Sequence, residues 1–103
     1  MDLRKNKLAE LNIICPTCKK PSNEYNWTLK TAAYFSQKEE TCPTVISVIR
    51  AIHQGEGEMF YGFHMFCPLC NYGTDIEEVE LPTPDAAEKY ISEVGEEYVD
   101  TWL

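Results

Sequence analysis

The chain has 103 residues, which suits one domain over residues 1–103 with a single small core. Its hydrophobic fraction of 44% is too high for a disordered chain of this charge, and no apolar run reaches the roughly 20 residues of a membrane-spanning helix. The net charge is −8, with the excess of acid in residues 71–103, and this makes phosphate backbones poor general partners.

Residues 1–12 are a polar leader in which Leu3, Leu8 and Leu11 suggest one turn of helix. The leader has no apolar core like that of a signal peptide, so the sequence predicts a cytoplasmic protein without a membrane segment. Reducing compartments keep thiols free, which leaves metal binding or redox chemistry as uses for the five cysteines.

Four segments between the leader and residue 82 have strand-like patterns. Tyr25, Trp27, Leu29 and Thr31 alternate with period two, which predicts a half-buried strand. Residues 45–53 fit either a helix or a strand, and their β-branched residues, followed by the turn-like "GEGE", favour a strand paired with a further strand at 59–66. Residues 75–81 predict a short fourth strand, so we expect a small antiparallel sheet.

Residues 83–103 form the clearest predicted helix. Thr83 can cap it and Pro84 suits its first position, while Gly95 marks a bend or an end. An apolar stripe follows helical spacing and is expected to be buried on the sheet: Ala87, Ile91, Val94, Tyr98 and Trp102. The predicted fold class is therefore α+β, an antiparallel sheet with an acidic, amphipathic C-terminal helix.

Two Cys-Pro-x-Cys turns carry the chemistry. Cys15 and Cys18 form the first pair, and Cys67 and Cys70 form the second. A two-residue spacer lets both sulfurs of a pair reach one ion at about 2.3 Å, and two pairs complete the tetrahedral shell that Zn²⁺ prefers. The sequence therefore predicts Zn²⁺ bound by these four cysteines, with iron as the alternative metal.

This pattern resembles the zinc-ribbon superfamily over residues 15–81. The resemblance implies two knuckles on β-hairpins that hold a structural zinc beneath a three-stranded sheet. Zinc ribbons often have glycine directly after each knuckle, where this chain has Lys19 and Asn71. Asn tolerates the left-handed conformation better than Lys does, so the first knuckle departs further from the pattern.

The resemblance also implies a function by contact. Small zinc ribbons serve as transcription accessories, antitoxin-like regulators or phage-type modulators, which predicts a non-enzymatic regulatory protein. A zinc with four protein ligands has no open position for substrate, in agreement with that prediction. We expect its partner to be another protein with a basic surface, reached through the acidic C-terminal third.

Two alternatives remain open from the sequence. Rubredoxins also hold a metal between two such knuckles, which would make the protein a one-iron electron carrier. A nucleic-acid-binding ribbon would instead use an aromatic platform of Tyr25 and Trp27 with nearby lysines, namely Lys19, Lys20 and Lys30.

Four other residues are candidate members of a site. Cys42 is expected to be a small buried hydrophobe, and His64 a strand residue beside the metal. His53 has no evident partner, and core packing is the favoured interpretation of Trp27.

Overall fold

The computed structural model describes residues 4–60 and 62–103, which form a small α+β protein. Over these residues it has four short strands and four α-helices. In chain order they are β1 (Asn12–Ile14), β2 (Pro21–Asn23), α1 (Glu24–Gln37), α2 (Val45–His53), β3 (His64–Phe66), β4 (Gly73–Asp75), α3 (Pro84–Val94) and α4 (Glu96–Val99). None of the helices in these two ranges combines the length and apolarity needed to cross a membrane.

The strands form two separate antiparallel hairpins. Ile13 of β1 lies opposite Ser22 of β2, and Met65 of β3 lies opposite Thr74 of β4. All four of these central residues are buried. The three-stranded sheet implied by the resemblance is wrong for the described residues, because each hairpin pairs only with itself and α1 packs against both β2 and β3.

The predicted strand at 25–31 is wrong, because these residues belong to α1. The residues that α1 buries are spaced as on one helical face and most of them are polar: Glu24, Trp27, Thr28 and Thr31. Trp27 and Thr31 satisfy a period of two, but they are also one helical turn apart. Leu29, which the strand pattern required on the same face, is exposed.

The favoured strand at 45–53 is also wrong, and the helical alternative holds. Thr44 caps α2 by accepting a hydrogen bond from the Ser47 backbone N–H, with an Oγ1 to N distance of 3.3 Å. The β-branched residues of α2 are mostly buried, so packing of a complete apolar face outweighs their preference for strands.

The strands predicted at 59–66 and 75–81 are much shorter in the structure. Among the described residues of the first segment, the strand is limited to His64–Phe66, and Gly57–Phe60 before it is a 3₁₀ helix. In the second segment β4 ends at Asp75, and a 3₁₀ turn occupies Ile76–Glu78. The apolar runs there reflect burial of single side chains such as Phe63 and Ile76, not alternation along a strand.

The predicted C-terminal helix is confirmed at its start and is divided at Gly95. Thr83 accepts a hydrogen bond from the Ala86 N–H and Pro84 is the first helical residue. Gly95 has a φ of 87°, which ends α3 before α4 begins. Most of the predicted stripe is covered, but Trp102 is 58% exposed because it lies beyond α4 in an extended pairing with Pro43.

The leader contains a turn and no helix over its described residues, and Leu3 lies outside them. Its backbone attaches to α3, since the N–H of Lys5 donates to the Val94 carbonyl at 2.8 Å. Leu11 is buried and Leu8 is almost fully exposed.

A buried carboxylate joins the helices in the core. Glu24 Oε1 accepts hydrogen bonds from the hydroxyls of Tyr90 and Tyr98, at 2.6 and 2.8 Å. Its Oε2 accepts from Thr28 Oγ1 and from the N–H of Ile46, at 2.8 and 2.9 Å. All four α-helices therefore meet at one side chain, and each acceptor oxygen of this buried group has two donors.

Candidate metal centre

The two hairpins place both cysteine pairs in equivalent loops. Each loop connects the two strands of one hairpin, with Cys15 and Cys18 in the first and Cys67 and Cys70 in the second. The first cysteine of each pair directly follows its strand, so the strand direction fixes where its sulfur lies. Both of these first cysteines are buried, and both second cysteines are half-buried.

The backbone hydrogen bonds of the two knuckles match. The N–H of Lys19 donates to the Cys15 carbonyl, and the N–H of Asn71 donates to the Cys67 carbonyl, both at 2.9 Å. Lys19 and Asn71 both have a φ of 64°, the left-handed conformation that glycine supplies in zinc ribbons. The first knuckle therefore has the same left-handed turn as the second despite its lysine, at a backbone cost of about 1–2 kcal/mol.

Backbone N–H groups point at the sulfurs of the buried cysteines. Thr17 N lies 3.3 Å from Cys15 Sγ, and Leu69 N lies 3.3 Å from Cys67 Sγ. Hydrogen bonds of this kind stabilise the thiolate, the form of cysteine that binds metals. The backbone of each knuckle thus stabilises one cysteine sulfur in the thiolate form that binds metals.

The two buried thiols differ in pKa. Burial raises the pKa of the Cys15 thiol, but hydrogen bonds from the N–H groups of Cys18 and Thr17 and from the side chains of Cys70 and Cys18 together lower it to about 7. Burial raises the pKa of Cys67 to about 12, and the N–H groups in its own loop offset only part of that rise. A cation bound close to Cys67 would oppose this rise, because a nearby positive charge favours the thiolate.

The sulfur positions fit a tetrahedral ion. The four Sγ atoms all lie within 4.8 Å of one another. Across the two knuckles, Cys15 Sγ is 3.7 Å from Cys70 Sγ, and Cys18 Sγ is 3.8 Å from Cys67 Sγ. A tetrahedron with metal–sulfur bonds of about 2.3 Å has sulfur–sulfur edges of about 3.8 Å, whereas a disulfide bond is about 2.05 Å long. The four cysteines could hold one metal ion, and zinc and iron both suit a four-sulfur set.

Helix α1 aligns the two hairpins from the segment between them. Trp27 Nε1 donates a hydrogen bond to the carbonyl of Ile13 in β1, at 3.1 Å. Thr31 Oγ1 accepts one from the N–H of Phe66 in β3, also at 3.1 Å. Both contacts lie within two residues of a cysteine, so one rigid helix sets the relative position of the two knuckles.

The other candidate site residues lie outside the cluster of four sulfurs. Cys42 is fully buried, its Sγ donates to the Pro43 carbonyl, and burial raises its pKa to about 12. His64 belongs to β3 as predicted, and its Nδ1 lies 2.7 Å from Asp75 Oδ1. His53 is the last residue of α2.

The aromatic platform proposed for nucleic acid is not formed. Trp27 is fully buried, which confirms core packing as its role. Tyr25 is half-buried, with the Arg4 guanidinium 3.7 Å from its ring centroid.

The sequence reasoning missed Thr31 and Glu24 as organising residues. Both are polar residues on a buried helical face, and their partners are distant in sequence: Glu24 and Tyr98 are 74 residues apart. The sequence signal that could have identified them is the spacing of Glu24, Thr28 and Thr31, which places all three on one face of a helix.

Comparisons with protein-family models, curated proteins and solved structures find no match for this chain. The fold and the cysteine cluster describe a small α+β protein with a candidate four-cysteine metal site.

Proposed function

We propose that this protein is a non-enzymatic zinc-binding module that acts by contact with another protein. The observation that carries the proposal is the convergence of four cysteine sulfurs at the spacing of a tetrahedral ion. Four protein ligands fill the coordination shell of Zn²⁺, which leaves no position for a substrate or an activated water. When bound, the ion supplies a cross-link between the two hairpins.

The distribution of charge supports a basic partner. Exposed carboxylates are spread over the last third of the chain, at Glu77, Glu78, Glu80, Asp85, Glu88 and Glu97. An acidic surface attracts a basic partner and speeds its association. A regulatory role of the transcription-accessory, antitoxin-like or phage-modulator kind would use such a surface.

The metal is tested by elemental analysis and the visible spectrum of protein purified without added metal. We expect one colourless zinc ion per chain, and loss of the metal in Cys15→Ser and Cys67→Ser. Cys42→Ala is the matched control, because Cys42 is buried but lies outside the cluster. Metal-free protein, or full metal content in both serine variants, would contradict the proposal.

Iron is the second candidate because the same four sulfurs and their N–H donors would suit a one-iron electron carrier. One iron per chain, with visible absorbance that bleaches on reduction, would support it. Cobalt substitution of the zinc form provides a coordination check, since tetrahedral thiolate Co²⁺ is coloured.

The contact role is tested with a lysine-rich probe protein and a single-stranded oligonucleotide at two salt concentrations. We expect binding to the basic probe that weakens as salt rises, and no binding to the oligonucleotide. A triple variant, Glu77→Gln, Glu80→Gln and Glu88→Gln, should weaken binding. Tight oligonucleotide binding would favour the nucleic-acid alternative.

A further inference from the structure

An apolar ridge lies on the surface and contains none of the four clustered cysteines. It consists of Met59, Phe60 and Trp102, and we call it the Met59–Trp102 ridge. Met59 is 76% exposed and Trp102 is 58% exposed. Single exposed apolar side chains are common on folded proteins, whereas exposed ones that line the same groove mark a candidate contact surface.

Two grooves run beside the ridge, and all three of its residues line both of them. The first groove has a volume of about 470 Å³ and an aromatic lining of Tyr34 and Phe35 from α1, Phe66 from β3, and Phe63, which directly precedes β3. The second has a volume of about 400 Å³ and lies against α2 and α4. Each is in the size range of natural ligand pockets, about 300–1,000 Å³.

The backbone next to Trp102 is paired with the segment at Cys42. Leu103 and Cys42 exchange two hydrogen bonds, each with an N to O distance of 2.8 Å. The pairing restrains the backbone that carries Trp102. A tryptophan on a restrained backbone has less conformational freedom to lose on binding, and tryptophan is common among interface anchors.

The charges around both grooves favour a basic occupant. Carboxylates that are not paired with Arg50 line the grooves or neighbour their lining residues in the chain, at Glu39, Glu40, Glu56 and Glu58. Two cations line them, and both are engaged: Lys38 lies 4.7 Å from the ring centroid of Tyr34, and Arg50 is bound by Glu96 and Asp100. A second copy of this chain would bring the same carboxylates and a charge of −8 to the contact.

We propose that the Met59–Trp102 ridge docks a segment of another protein that carries a large apolar side chain flanked by lysine or arginine. The proposal rests on the contact function proposed above and adds the chemistry of the partner. The apolar side chain occupies a groove beside the ridge, and the flanking cations face the surrounding carboxylates. Binding therefore depends on both burial and charge.

The test is selection of a displayed random-peptide library on the zinc-loaded full chain. We expect the enriched peptides to contain a large apolar residue with adjacent lysine or arginine. Synthetic copies of an enriched peptide should bind at least about tenfold more weakly to Trp102→Ala and to Met59→Ser, the range of an interface anchor. Higher salt should also weaken binding.

Matched controls are Tyr72→Ala and Leu8→Ser, which remove similarly exposed apolar side chains elsewhere, at 59% and 88% exposure. They should bind as the unmodified protein does. Metal content and circular dichroism establish that all four variants fold.

Several results would overturn the proposal. They are the absence of enrichment, enrichment of acidic peptides, and equal binding by the ridge variants and their controls. Self-association of the unmodified chain that Trp102→Ala abolishes would assign the ridge to a second copy. If the ridge variants keep their affinity for the enriched peptide while the triple carboxylate variant loses the lysine-rich probe, the ridge proposal fails and the acidic contact function stands; metal-free protein would remove the zinc-based function itself.

Discussion

The contact between α1 and the second hairpin predicts a measurable effect of a nearly isosteric substitution. Thr31→Val removes the hydroxyl that accepts a hydrogen bond from the N–H of Phe66, at 3.1 Å. Valine has the same shape as threonine, so packing changes little. Thr31 is fully buried and Phe66 is half-buried, so water has little access to the position of the lost acceptor.

The expected cost follows from that isolated N–H. A buried donor without an acceptor costs about 1–3 kcal/mol. For a domain of this size, each kcal/mol corresponds to a shift in Tm of roughly 4–8 °C. We therefore expect Thr31→Val to lower the free energy of unfolding by about 1–3 kcal/mol, with an unchanged denaturant slope.

Urea unfolding of the zinc-loaded protein measures this change. Thr31→Ser is the paired variant, because it keeps the hydroxyl and loses only a methyl group, and it should preserve the hydrogen bond. If Thr31→Val is as stable as the unmodified chain to within about 0.5 kcal/mol, the contact does not fix β3 to α1. A larger loss in Thr31→Ser than in Thr31→Val would assign the role to the methyl group.

Three further predictions concern the knuckles and the core. Lys19→Gly should raise the free energy of unfolding by about 0.5–1 kcal/mol in denaturant titrations, since it relieves a left-handed lysine, whereas Lys20→Gly next to it should give no gain. Gly73→Ala should lower it by about 1–3 kcal/mol, because the added Cβ would lie 2.8 Å from Phe66 Cε1; an unchanged Tm would refute this. Burial raises the pKa of Glu24, so the folded state holds that proton more tightly than the unfolded state does. Its stabilising contribution is full below the ordinary glutamate pKa of about 4.3 and is lost as pH rises through the raised value. Glu24→Gln should therefore reduce the loss of unfolding free energy as pH rises from about 4.3 through the raised pKa. The exposed control Glu80→Gln should leave that loss unchanged. A Glu24→Gln variant with an unaltered pH profile would contradict this prediction.

The sequence was most informative where local chemistry decides the structure. The CPxC spacing predicted which four cysteines would come together, because a two-residue spacer is a short-range constraint. Thr83, Pro84 and Gly95 likewise predicted the limits of α3 through capping and backbone preference.

The sequence was least informative where contacts between residues far apart in the chain decide the structure. Helix α1 buries Glu24, Thr28 and Thr31, and a hydrophobicity pattern treats all three as surface residues. Glu24 is acceptable in the core only because Tyr90 and Tyr98 approach it from far along the chain. In α2, the β-branched residues favour a strand locally, and burial of their common face decides for a helix.

The candidate metal centre and the Met59–Trp102 ridge are connected through β3. Phe66 directly precedes Cys67, lines the first groove, and places its ring centroid 4.1 Å from that of Tyr34 in α1. An ion bound at Cys67 would therefore restrain one wall of the groove, and the hydrogen bond from Phe66 to Thr31 restrains the same wall from the opposite element. The hydrogen bonds that join the four helices at Glu24 involve none of the four clustered cysteines. Loss of the metal should therefore loosen the hairpins and the groove before it disturbs the helical core, so that docking at the ridge depends on the metal more strongly than helix content does.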